Sequence, residues 1–162
     1  MDHTIRRAVP GDADGIWAAL APVFSAGETY AVPRDISREA ALAYWLAPEK
    51  VTFVAQSAGG IAGSYYLRAN QPGGGAHVAN CGYITAGWAQ GQGLARAMCL
   101  HSLDAARAAG FRAMQFNLVV STNTRAVHLW QALGFTIIGT LPGAFAHPHL
   151  GDVDAHIMHR KL

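Results

Sequence analysis

Ile84-Thr85-Ala86-Gly87-Trp88-Ala89-Gln90-Gly91-Gln92-Gly93-Leu94-Ala95 decides the fold. An apolar run ends, a glycine-punctuated turn follows, and an Ala/Leu/Met-rich run extends from Gly93 to Ala109, before Gly110. A helix that opens at Gly93 presents main-chain N–H groups with no partner inside the helix, at the positive end of its dipole. Gly91 and Gly93 have no side chain to hold an anion away. Strand, turn and helix together predict a cradle for a diphosphate.

The common nucleotide loops do not fit. A dinucleotide fingerprint requires a third glycine where Arg96 stands, and a triphosphate loop requires Lys-Ser/Thr where Leu94-Ala95 stand. On these residues alone, a plain glycine turn ahead of a core helix stays open.

Outward from the cradle, periodicity predicts the rest of the chain. Thr4 to Ala8 reads as a strand, and a helix opens at Pro10-Gly11-Asp12 with Ile16, Trp17, Leu20 and Phe24 at helical spacing. Pro22 is expected to kink or end that helix. Ser37 is a cap for a second helix with Leu42, Trp45 and Leu46 on one face, stopped by Pro48. Val51–Ser57 and Ile61–Ala69 read as a hairpin around Ala58-Gly59-Gly60, and His77–Thr85 as the strand feeding the cradle. Phe111–Val119 is a strand, Asn123–Leu133 a helix closed by Gly134, and Phe135–Leu141 and Val153–His159 the last strands.

Composition narrows the function. A chain of 162 residues, 51% hydrophobic and 14% charged, is one domain with a real core, spanning 1–162. A net charge of +2 with no Lys/Arg stripe argues against nucleic acid. No run reaches membrane-span length and no signal region opens the chain, so a cytoplasmic protein is expected. Cys81 and Cys99 read as buried small hydrophobes. His147-Pro148-His149, with His156 and His159, shows no recognised ligand spacing, so no metal is expected.

Gln90, Gly93 and Ala95 fill the fixed positions of the Gln/Arg-x-x-Gly-x-Gly/Ala motif of the GCN5-related N-acetyltransferases (GNAT). Asn123, Ala126, Trp130, Gly134 and Phe135 resemble that family's second motif. The resemblance implies an α/β (α+β) GNAT fold: a mixed, mostly antiparallel seven-stranded sheet, splayed at its centre and flanked by about four helices. It implies acetyl-CoA as cosubstrate, with the pyrophosphate on Gln90, Gly91, Gln92, Gly93, Leu94 and Ala95. The main chain at Tyr83, Ile84 and Thr85 would meet the pantetheine amides, one N–H facing the thioester carbonyl, with Asn123, Ala126 and Trp130 beside them. Family members usually carry Tyr where Trp130 stands, a hydroxyl proposed to protonate the leaving thiolate. Trp130 offers an indole N–H and no comparable acid, so it is either a packing wall or another group donates. A homodimer is a further expectation from the family.

Asn80, Asn117 and Asn123 carry a narrower resemblance, to the fungal azetidine-2-carboxylate N-acetyltransferases, in which the corresponding asparagines lie in the active site. The acceptor it implies is a small-molecule amine, an amino acid or proline analogue. Asn80 and Asn117 fall in strands on either side of the expected splay; they orient the acceptor or satisfy main chain at a bulge or split. Asn123 also reads as a helix cap.

The family's chemistry is direct attack in a ternary complex without an acyl-enzyme, and neither cysteine has a basic partner in sequence. An amine of pKa near 10 is protonated all but about one part in 10²–10³ at neutral pH, so a base is useful. Glu28, in the Gly-Glu-Thr-Tyr loop that would border the acceptor with Tyr30, is the first candidate; the alternative is a solvated carboxylate. Two other functions stay open: acetylation of a peptide or protein N-terminus, and a non-catalytic acyl-CoA-binding module.

Overall fold

The computed structural model describes residues 2–162. Along the chain run β1 (Thr4–Arg7), α1 (Ala13–Ala26), α2 (Arg38–Trp45), β2 (Val51–Ser57), β3 (Gly60–Ala69), β4 (Val78–Thr85), α3 (Leu94–Ala108), β5 (Ala113–Val120), α4 (Thr124–Ala132), β6 (Thr136–His147) and β7 (Gly151–Lys161). The strands form one seven-stranded sheet in the order β1-β2-β3-β4-β5-β7-β6. Every pairing is antiparallel except β4 with β5.

β3 is buried without interruption from Ala62 to Leu67, as a strand covered on both faces must be. Its even positions meet α1 and α2: the buried Trp45 indole donates to Ser64 Oγ at 2.9 Å, and Ser64 Oγ donates to the Phe53 carbonyl at 2.7 Å. Its odd positions meet α3, where the Tyr65 hydroxyl lies 2.7 Å from His101 Nδ1. The Ser37 hydroxyl caps α2 by accepting from the Ala40 amide at 3.1 Å, as its position before the helix predicts. No helix among the described residues is long and apolar enough to cross a membrane.

Three expectations need correction. Pro22 neither ends α1 nor stops it early: the helix runs on to Ala26 and closes at Gly27, whose φ is +68°. One lost main-chain bond is outweighed because Phe24, beyond the proline, is buried against Tyr30 and Trp45. Leu46 lies past the end of α2 and is exposed, so Ala41 and Trp45 supply the buried face. The last two strands are much longer than their apolar cores and meet in a hairpin at residues 148–150. There His147 Nδ1 accepts from the amides of His149 and Leu150, at 3.2 and 3.3 Å. Main-chain pairing between β6 and β7 extends the strands where side-chain periodicity gives no sign of it.

The centre of the sheet positions everything that follows. β4 and β5 pair only at Val78–Ala113 and Ala79–Met114, and then diverge. Farther along, the pairing of β5 with β7 shifts register between Phe116 and Val119. At the first position beyond the last β4–β5 pair, Asn80 Nδ2 donates to the Gln115 carbonyl at 2.9 Å. Its side chain takes over where main-chain bonding stops.

Candidate active site

A cleft of about 660 Å³ fills the gap between β4 and β5. Which main-chain groups face it follows from strand alternation. The Ala86 amide donates to Ala62 and the Asn70 amide to the Val78 carbonyl, so the even residues of β4 bond to β3. The amides and carbonyls of Cys81, Tyr83 and Thr85 therefore point into the gap. Those of Ile84 point to β3 instead, which removes Ile84 from the expected main-chain contacts although it lines the cleft. The Tyr83 carbonyl is taken by the Tyr30 hydroxyl at 2.7 Å. The Tyr83 N–H, on the same side of the strand, stays turned to the cleft.

At the open end the strand runs into the cradle. Gly91 and Gly93 have φ of +74° and +75°, a conformation that L side chains rarely adopt. A Cβ at either would meet nothing within 4 Å, so the surface above them is free. Gly93 caps α3 with no side-chain bond, and the first internal bond joins the Ala97 amide to the Gly93 carbonyl at 3.1 Å. The amides of Leu94, Ala95 and Arg96 are thus without helical partners. Gln90, Gly91, Gly93, Leu94, Ala95 and Arg96 all line the cleft. Gln92 does not; its side-chain amide donates to the Trp88 carbonyl at 3.3 Å.

The far wall is α4. Asn123 caps it, its Oδ1 accepting from the Ala126 amide at 3.4 Å, while also lining the cleft with Arg125, Ala126 and Trp130. Trp130 is buried, its ring centroid 5.0 Å from Tyr83 and 5.1 Å from Phe116. Those are the surroundings of a wall. The Tyr83 hydroxyl turns away to Ser102 Oγ, 2.7 Å distant, and burial raises its pKa well above the ordinary value.

The deep end is built on the α1/α2 face by Tyr30, Tyr44, Tyr66, Arg68 and Asn80. Arg68 stands opposite Asn80 across the β3–β4 pair and donates through Nε to Asn80 Oδ1 at 3.1 Å. Behind them Lys50 is buried, with Nζ 3.6 Å from the Tyr44 ring centroid, 4.1 Å from that of Tyr66, and 2.6 Å from the Tyr44 carbonyl. Burial and, next, the charge of Arg68 bring its ammonium pKa down to about 8. Burial pushes the Cys81 thiol up to about 12 and Cys99 to about 11, so neither is a thiolate at neutral pH.

A model of the acetyltransferase (GNAT) family matches residues 17–135. The chain belongs to this family. Over 96 residues it is 34% identical to N-acetyltransferase aca1 of Schizosaccharomyces pombe, a match covering 59% of this chain and 46% of the relative. The chain thus spans about half the length of that curated relative. A GCN5-related N-acetyltransferase from Kribbella flavida is 45% identical and superposes with a TM-score of 0.93 over 99% of this chain and 98% of the other. A phosphinothricin acetyltransferase from Sinorhizobium meliloti, solved with acetyl-CoA, shares the fold with a TM-score of 0.86 at 23% identity, covering 100% and 89% of the two chains.

Within this GNAT scaffold the structure brings together most, but not all, of the residues the sequence singles out. Tyr30, Asn80, Tyr83, Thr85, Asn123, Ala126 and Trp130 meet at the cleft with five of the six cradle residues. Glu28 does not: it is exposed and outside the lining. Asn117 lines the cleft but is exposed, bonded to Asn70 Oδ1 at 2.6 Å and to Gln115 Nε2 at 3.0 Å, so the cost of burying an unpaired amide does not apply to it. Sequence reasoning missed Arg68, Arg96 and Arg125, the only charged side chains lining the cleft among the described residues. Arg96 and Arg125 were findable, each in the first turn of a helix bordering a predicted anion site.

Proposed function

We propose that this chain moves the acetyl group of acetyl-CoA directly to the amine of a small molecule, an amino acid or proline analogue. The observation that carries this reading is a shared cleft: the unpaired edge of β4 and the partnerless amides of α3 lie on one continuous cavity, joined by the turn at residues 86–93. Acetyl-CoA supplies an activated acyl carbon beside the Tyr83 N–H. A donor so placed lowers the barrier by roughly 3 kcal/mol. The amides of Leu94, Ala95 and Arg96, with the Arg96 and Arg125 guanidinium groups, hold the diphosphate. Asn123, Ala126 and Trp130 flank the pantetheine arm, and Asn80 and Asn117 border the acceptor.

Deprotonation of the acceptor does not fall to a carboxylate of the cleft. Among the described residues no Asp, Glu or His lines it, and Glu28 lies outside. Burial and the charge of Arg68 lower the ammonium pKa of Lys50, which lies outside the cleft lining; the same surroundings would favour a neutral acceptor amine, with water as the proton carrier. The two buried thiols have the pKa of bystanders, which supports transfer without an acyl-enzyme.

Calorimetry with acetyl-CoA, followed by a thiol-release assay against amino acids, azetidine-2-carboxylate, proline analogues, polyamines and short peptides, tests the reading. Binding with release of CoA on a small amine is expected; failure to bind acetyl-CoA overturns it. One observation favours a second reading, a non-catalytic acyl-CoA-binding module: Trp130 replaces the usual phenol, and the hydroxyls of Tyr30 and Tyr83 are both engaged elsewhere. Tight binding with no turnover on any amine would establish it.

A further inference from the structure

The charge of the cleft is one-sided. Its lining carries three cations, Arg68, Arg96 and Arg125, and among the described residues no anion. Arg96 and Arg125 stand at the cradle end, where a diphosphate accounts for them. Arg68 stands five residues of β4 away from that end, opposite Asn80, about 16 Å along the strand from Thr85. One diphosphate does not reach both.

Arg68 is held but not neutralised. Its Nε is engaged with Asn80 Oδ1, which orients the guanidinium, while its two Nη groups make no hydrogen bond to protein among the described residues. The ion pairs among those residues are Arg6–Asp12, Arg38–Asp14 and Arg107–Asp104; Arg68 has none. Its neighbour Lys50 adds a second positive charge. A half-buried guanidinium with a free planar fork and no counter-charge fits a carboxylate bidentately. It repels a cationic group.

We propose that Arg68 is the specificity-determining residue of the acceptor site, binding the carboxylate of an amino or imino acid through its two Nη groups while Asn80 holds its Nε. This rests on the acetyl-CoA reading of the cradle and adds that the acceptor must carry an anion close to its amine. Diamines, which bring a second cation, and amino-acid amides, which lack the anion, are disfavoured whatever their size.

The test pairs each free acid with its α-amide: the common L-amino acids, azetidine-2-carboxylate and phosphinothricin, each assayed for binding to the CoA-loaded enzyme by calorimetry and for CoA release from acetyl-CoA. The wild type should prefer acid to amide on the order of 100-fold, the scale of a charge-assisted bidentate contact. R68Q, whose amide can still donate to Asn80, should bring that ratio to within a few-fold of one by raising the acceptor KM, with the acetyl-CoA Kd unchanged. R68K, retaining charge without the fork, should fall between. Equal use of acid and amide by the wild type, an unchanged ratio in R68Q, or absence of carboxylate-dependent binding in a protein that binds acetyl-CoA each overturns the proposal. A wild type that does not bind acetyl-CoA fails instead on the reading beneath it.

Discussion

The two ends of the cleft are built in opposite ways. The cradle end is main chain: a strand edge, two left-handed glycines and the first turn of α3, all within residues 83–96. The deep end is side chain: Tyr30 from the loop after α1, Tyr44 from α2, Arg68 from β3 and Asn80 from β4. Main-chain amides serve any diphosphate, because their geometry comes from the helix and not from residue identity. Side chains converging from four elements select. The difference separates what the family holds in common from what this chain does with it, and it can be broken at either end.

The largest effect is expected at the cradle. Gly93→Leu places a side chain above the α3 amides in a backbone region that disfavours it. Acetyl-CoA affinity should fall on the order of 100-fold, with about 1–2 kcal/mol of stability lost to the strained φ. Calorimetry beside chemical denaturation separates the two; unchanged affinity removes the cradle from the diphosphate.

At the deep end, the asparagines should part company. Asn80→Ala leaves the Gln115 carbonyl and Arg68 Nε without their partner at the mouth of the split and should cost about 2 kcal/mol of stability. Asn117→Ala, exposed, should cost under about 0.5 kcal/mol, yet lower turnover more than cofactor affinity. Denaturation curves and acetyl-CoA titrations of both variants decide this. Equal destabilisation contradicts the contrast, and equal loss of turnover and affinity assigns Asn117 to the cofactor.

Smaller effects come from the exposed charges. Arg125→Ala and Arg96→Ala should each weaken acetyl-CoA binding roughly three- to tenfold, less at high salt, because solvent-exposed contacts are screened. Acetyl-CoA titrations at two ionic strengths check it.

The smallest effect is a pH dependence. The folded protein lowers the Lys50 pKa from 10.5 to about 8, so between those values the unfolded chain binds more protons than the folded one. The Lys50 contribution to stability should therefore grow with pH from about 8, set against an opposing loss as the Cys81 and Cys99 thiols, held up at about 12 and 11 in the fold, ionise first in the unfolded chain near pH 9. Denaturation at pH 7, 8.5 and 9.5 should show the wild type gaining stability relative to Lys50→Met as pH rises, the thiol contribution being common to both; a difference that does not change with pH means the ammonium is not under strain.

How much of this was legible in the chain follows the same division. The order of elements, the hairpin at Ala58-Gly59, the caps at Ser37 and Asn123 and the cradle could be read because each signal lies within a few consecutive residues. Pro22 misled because burial of Phe24 outweighs a local rule. Glu28 misled because a position in a loop does not say which way its side chain turns. Arg68 gave no sign at all: in a strand it is one more long polar side chain, until the sheet sets it opposite Asn80 and the splay leaves it without an anion.

Family, order of elements and the candidate cradle were thus legible in local sequence, through helix starts, strand periodicity and glycine conformations that operate over a turn or two. At the deep end sequence pointed to Tyr30 and Asn80, but the charge around them was decided only by tertiary structure. Charge balance there depends on which residues the fold leaves unpaired across distances of dozens of positions, and a linear chain contains no local term for a partner that is missing.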